Sequence, residues 1–172
     1  MSVSGRPLLL IDVDGVLSLF GFDHGAPPPG RQVLIDGLPH HLSSDAANHL
    51  LRAASAFEPV WCTGWEDRAP EHLPHHLGVP PTWPYVPLRT RTGTRAGTSV
   101  AGHWKLDAID ARSGPDRPLA WIDDAFDLEC EAWAAARPGA TLLVPTDPAV
   151  GMTAADADRL LAWAAELPQD SR

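Results

Sequence analysis

The sequence predicts an α/β fold with a mainly parallel central sheet. Three observations carry this: short, nearly all-apolar segments, amphipathic helical segments between them, and polar residues collected where the apolar segments stop. The first segment, PLLLIDV (Pro7 to Val13), is apolar at almost every position, as suits a strand covered on both faces. PVWCTGW (59–65), RPLAWIDD (117–124) and ATLLVPTD (140–147) repeat that character. Between them, SSDAANHLLRAASAF sets Ala47, Leu50, Leu51, Ala54 and Phe57 on one helical face, with Ser43 or Ser44 to cap it. FDLECEAWAAAR and TAADADRLLAWAAEL have helical patterning too, and Thr153 is expected to cap the last helix.

Two regions interrupt the alternation. Residues 19–42 follow the first strand directly and carry three consecutive prolines, then an Asp36-Gly37 pair that signals a hairpin turn. They are expected to form a small flap over the end of the sheet, too short for a separate domain. Residues 79–102, rich in Pro, Gly, Thr and Arg, are expected to be mostly loop.

With 172 residues and 44 % apolar composition, the chain suits one domain over 1–172 with a full core. It has no apolar run of membrane-spanning length, and MSVSGRPLLLIDVDG lacks the pattern of a signal peptide. A cytoplasmic protein with no membrane partner is therefore expected. Cys62 and Cys130 make no disulfide framework and no metal spacing, and are read as reduced, buried thiols. A formal charge of −9 argues against broad nucleic-acid binding, though not against a local basic patch.

Ligands of open α/β sheets bind beyond the carboxyl ends of the strands. Those ends here carry Asp12 and Asp14 with Gly15, then Thr63 with Gly64, then Asp123 and Asp124, while Lys105 opens a short helix. The set suits phosphoryl transfer. Asp12, ending a rigid strand, can attack phosphorus and split hydrolysis into two steps. Asp14 can protonate the leaving oxygen and then activate water. Gly15 permits the sharp exit between strand and flap. Asp12, the carbonyl of Asp14, and Asp124, with Asp123 as a second ligand or a partner for Lys105, offer hard oxygens to Mg²⁺. Thr63 and Lys105 can hold and neutralise the transferring group.

In this order DVDG, WCTGW, Lys105 and WIDDAFD resemble the four motifs of the haloacid dehalogenase superfamily. The resemblance implies a Rossmann-like three-layer sandwich, a small flap and no large cap. It also implies an Mg²⁺-dependent phosphatase working through an aspartyl phosphate, with Asp12 as nucleophile and Asp14 as acid/base. TGWEDRA, WKL, AWAAARPG and LLVPTDPAVGMT look like a small bacterial branch, some of whose relatives are associated with RNA repair. That association implies nucleotide or nucleic-acid end phosphates as substrates, beside small phosphorylated molecules.

The rival reading is a non-enzymatic phosphoacceptor of the receiver type, which also gathers acids, a hydroxyl and a lysine at strand ends. Its order differs: there the accepting Asp ends a middle strand, where this chain has Thr63. His72, His75 and His76 resemble a zinc cluster, but Pro74 is expected to interrupt their helix and no fourth ligand is near. Arg89, Arg91 and Arg95 are a solvated loop or a clamp for a second phosphate. Trp65 is placed to border the pocket, Trp83 or Phe22 to stack on a ring, and Asp127 to serve a helix start. Oligomeric state leaves no mark on the pattern.

Overall fold

The computed structural model describes residues 5–88 and 103–168. Arg89, Arg91 and Arg95 therefore lie outside the described residues, with most of the 79–102 segment. Four strands, β1 (Leu8–Ile11), β5 (Glu58–Trp61), β6 (Leu119–Asp123) and β7 (Thr141–Pro145), form a fully parallel sheet in the order β5-β1-β6-β7. Successive residues of β1 point to opposite faces, and each face is buried in its own core. Leu9 and Ile11 pack with α1 (Ser44–Ala54), α2 (Arg68–Leu77) and α5 (Ala154–Glu166). Leu8 and Leu10 pack with α3 (Leu106–Ser113) and α4 (Leu128–Ala136). The central strand therefore has no polar face, which is why it reads as an unbroken apolar run.

β1 stops at Ile11, two residues before the end of its apolar segment. The carbonyl of Val13 instead accepts the N–H groups of Leu17 at 2.9 Å and Ser18 at 2.9 Å, closing a tight turn. That turn leads into β2 (Ser18–Leu19), which joins β3 (Arg31–Ile35) and β4 (Leu38–Leu42) in a second, antiparallel sheet of order β2-β4-β3. The segment expected as a flap at 19–42 thus holds this small antiparallel sheet. Asp36 and Gly37 have φ of 51° and 78°, the pair of positive values a two-residue type I′ hairpin turn requires. Ile35 and Leu42 root the flap in the main core, whereas Leu34 and Leu38 near its tip are exposed.

Several local expectations change. α2 runs through Pro74 rather than stopping there. Buried Leu73 and Leu77 anchor both sides of the proline, which outweighs its lost N–H and ring clash, and Gly78, with φ 70°, closes the last turn on the Pro74 carbonyl. Residues 84–86 are not free loop either. They run beside β5, with Trp61 N–H on the Pro84 carbonyl and Val86 N–H on the Trp61 carbonyl, each 2.8 Å, and so cover that sheet edge. The caps agree with the sequence: Ser43 for α1, Asp127 for α4, and Thr153 in a reciprocal capping box with Asp156 for α5. Among the described residues, no helix is long and apolar enough to cross a membrane.

Candidate active site

The strand order sets the place of the site. After β1 the chain leaves toward β5; after β6 it leaves the opposite way, toward β7. Connections that diverge from adjacent strands open a crevice between their carboxyl ends. Asp12 follows β1 and Asp123 ends β6, so both acids enter that crevice. Asp12 N–H donates to the Ile122 carbonyl at 3.0 Å, which continues the β1–β6 pairing one residue past the strand.

Lys105, at the start of α3, reaches between the two acids. Its Nζ lies 2.6 Å from Asp123 Oδ2 and 3.2 Å from Asp12 Oδ2. All three side chains are buried: Lys105 is 3 % exposed, Asp123 1 % and Asp12 7 %. Asp123 also accepts the Trp121 indole N–H at 3.1 Å and the Ala125 N–H at 3.0 Å. Asp12 Oδ1 accepts the Val13 N–H at 2.8 Å. Burial holds the Asp12 carboxyl proton up to about 7; Lys105 opposes this and Asp123 adds to it. Burial would lower the Lys105 pKa, but the Asp12 and Asp123 carboxylates outweigh it and push the ammonium above its ordinary value. Burial, then Asp123, raises Asp124.

Asp12, Asp123 and Asp124 each bring a carboxylate oxygen within 4.8 Å of the others. Gly15 makes the third approach feasible. With φ +75° it lies so close that an added Cβ would sit 2.4 Å from Asp124 Cγ. Thr146, just past β7, donates its hydroxyl to the Gly15 carbonyl at 2.9 Å and holds the turn in place. This set of carboxylate oxygens, with one ammonium nearby, could hold a metal ion. Among the described residues no other group of three His, Cys, Asp or Glu side chains has that convergence. The zinc reading of His72, His75 and His76 gains no support: His72 Nε2 faces Asp36 at 3.7 Å and Glu71 at 3.9 Å, and the other two rings stack edge to face.

Thr63 follows β5 on the other side of β1 and is 1 % exposed. Its hydroxyl oxygen accepts the Trp65 N–H at 3.3 Å. Gly64 lies under the exposed Trp104 ring, where an added Cβ would be 3.7 Å from the indole. Asp14 is exposed, and its Oδ2 accepts the Trp65 indole N–H at 2.9 Å. Trp83 is not a surface ring: it is buried against Trp61, centroids 5.4 Å apart. Phe22 packs on His24 and His41 within the flap. Asp127 caps α4 through the Cys130 N–H at 2.9 Å, which holds its carboxyl below the usual range. Cys62 and Cys130 are free and buried, and burial pushes their thiols up to about 12 and about 11.

The sequence reading missed Thr146, Glu66 and the reach of Trp65. Glu66, buried with φ 50°, accepts the Leu88 N–H. A buried Glu in a turn has no signature in composition; only the fold brings residue 88 to it. No protein-family model matches the sequence, and a search of curated proteins finds no match.

Proposed function

We propose that the protein is a phosphomonoester hydrolase that works through a phosphorylated Asp12, in the manner of the haloacid dehalogenase phosphatases it resembles. The observation that carries this is the strand-end cluster itself: a buried Asp12 bonded to Lys105, with Asp124 converging from the neighbouring strand. A carboxylate nucleophile needs its charge balanced and its orientation fixed, and Lys105 with the Val13 N–H do both.

In the first step a carboxylate oxygen of Asp12 forms a bond to phosphorus as the ester P–O bond breaks. Asp14, as the acid, gives its proton to the departing oxygen, which leaves as an alcohol. In the second step water attacks the same phosphorus and Asp14 takes its proton. The Asp12–phosphorus bond breaks, returning the carboxylate and releasing inorganic phosphate. Lys105 offsets the negative charge gathered on the transferring group, and the buried Thr63 and Gly64 turn offers it a hydroxyl and backbone. Asp12, Asp124 and the Asp14 carbonyl would hold Mg²⁺, which supplies positive charge against the approach of phosphate to carboxylate. Asp123, already bonded to three donors, serves as the anchor of Lys105 in this reading.

A small flap without a large cap, as the resemblance implies, suits bulky esters. Nucleotide or nucleic-acid end phosphates are the class the resemblance implies. Buried, reduced thiols agree with a cytoplasmic setting. The test is phosphate release from an aryl phosphate in Mg²⁺. Asp12→Asn is expected to cut turnover by about 10⁴-fold or more while leaving circular dichroism unchanged. Full activity in that variant refutes the mechanism. A stable phosphoprotein without turnover would favour the receiver-type alternative.

A further inference from the structure

We infer that Trp65 is a positioning residue for the proton transfers of Asp14 and that the flap holds it in place. The inference rests on the phosphatase reading above. Asp14 stands past the end of β1 and is exposed, so nothing in the sheet restrains its carboxylate. Its Oδ2 accepts the Trp65 indole N–H at 2.9 Å. An indole N–H donates and cannot accept. With Oδ2 engaged by that donor, Oδ1 is the oxygen left free to face the leaving group and water. One hydrogen bond thereby sets both the direction of the carboxylate and the oxygen that exchanges the proton.

The indole can do this because it is packed in. Trp65 is 5 % exposed, and its backbone N–H is tied to Thr63 Oγ1 at 3.3 Å. The ring is flanked by two elements. His40, on β4 of the flap, meets it edge to face with centroids 4.7 Å apart, and His40 Nδ1 lies 3.1 Å from Ser18 Oγ on β2. The Arg68 guanidinium of α2 sits 5.6 Å from the ring centroid and also binds Asp36, at the hairpin tip, at 2.6 Å. The flap and α2 thus grip the same indole, and α2 grips the flap. Lifting the flap removes one wall from Trp65 and with it the restraint on Asp14.

Trp65→Phe keeps an aromatic ring between His40 and Arg68 and removes the donor, at the cost of some buried ring volume. A poor leaving group needs the proton from Asp14; a dinitrophenolate does not. In the full chain with Mg²⁺, the variant should lose about 10- to 100-fold in kcat on an alkyl phosphate, with KM little changed. On dinitrophenyl phosphate it should release a burst of about one dinitrophenolate per site, then turn over slowly, because water activation still needs Asp14. An equal loss on both esters without a burst would show a packing role and overturn the inference while leaving the phosphatase reading intact. So would no loss at all. Absence of wild-type turnover on every ester would instead refute the phosphatase reading and this inference with it. If Trp65→Phe does not fold, Asp14→Ala gives the second readout. One indole N–H resonance should shift well beyond the others, and no shift overturns the contact.

Discussion

Two pairs of acids end adjacent strands, Asp12 with Asp14 after β1 and Asp123 with Asp124 at β6, and their inner members have opposite fates. Both Asp12 and Asp123 are buried and share the Lys105 ammonium. Asp123 is the more heavily bonded: Lys105 and Trp121 donate to one oxygen, the Ala125 N–H to the other. Asp12 has one backbone donor and the longer of the two contacts to Lys105. A group that must form a bond to phosphorus needs lone pairs left over, and a group that orients a lysine does not. The outer members, Asp14 and Asp124, stay nearer solvent, where a proton or a cation can reach them. On the proposed reading, neighbouring strand ends make an anchor and a nucleophile from the same residue type.

The comparison breaks most sharply at Asp123. Asp123→Asn removes one of the two carboxylates that balance a buried ammonium, a loss of about 3–5 kcal/mol where such a pair is broken. Urea unfolding should show it, together with a large fall in turnover. Asp124→Asn should cost little stability but weaken Mg²⁺ binding by about 10- to 100-fold, seen as a raised Mg²⁺ requirement for phosphate release. Equal stability losses in the two variants would erase the proposed division of labour.

Acid strength gives a second, smaller contrast. Asp12 keeps its proton up to about 7 when folded, against an ordinary carboxylate value near 3.8 when unfolded. Between those values the metal-free folded chain binds more protons than the unfolded one, so stability falls as pH rises through that window and levels off above it. The stabilising charge on Lys105, whose pKa is raised, persists throughout that window and is lost only in alkali. The melting temperature in EDTA should therefore drop from pH 5 to pH 8, and Asp12→Asn should flatten the curve. Mg²⁺ should stabilise more at pH 8 than at pH 5, because binding displaces the proton.

The smallest effect belongs to an acid close in sequence to the second pair but outside the site. Asp127→Ala removes the α4 cap and should cost about 1 kcal/mol in unfolding experiments, with phosphate release unchanged. A loss of turnover at constant stability would bring Asp127 into the site.

Much of this was legible from residue order. The four apolar segments became the four parallel strands because a strand buried on both faces leaves its mark at every position. Asp36-Gly37 turned as its backbone preferences require, and Ser43, Asp127 and Thr153 capped their helices. The strand-end acids and Lys105 were found by position and by the resemblance to a motif series. What the sequence left open was which acid does what. Asp123 and Asp124 are chemically identical neighbours; β6 turns one inward to Lys105 and leaves the other half-exposed. The helix through Pro74, the edge cover at residues 84–86 and the burial of Trp83 all depend on contacts between distant segments. So does the grip on Trp65, which needs β4 and α2 on either side of one ring. Local pattern determined the elements because backbone preference and burial act residue by residue. The contacts within the candidate site were decided by tertiary structure, because hydrogen bonding and charge balance depend on which distant segments meet.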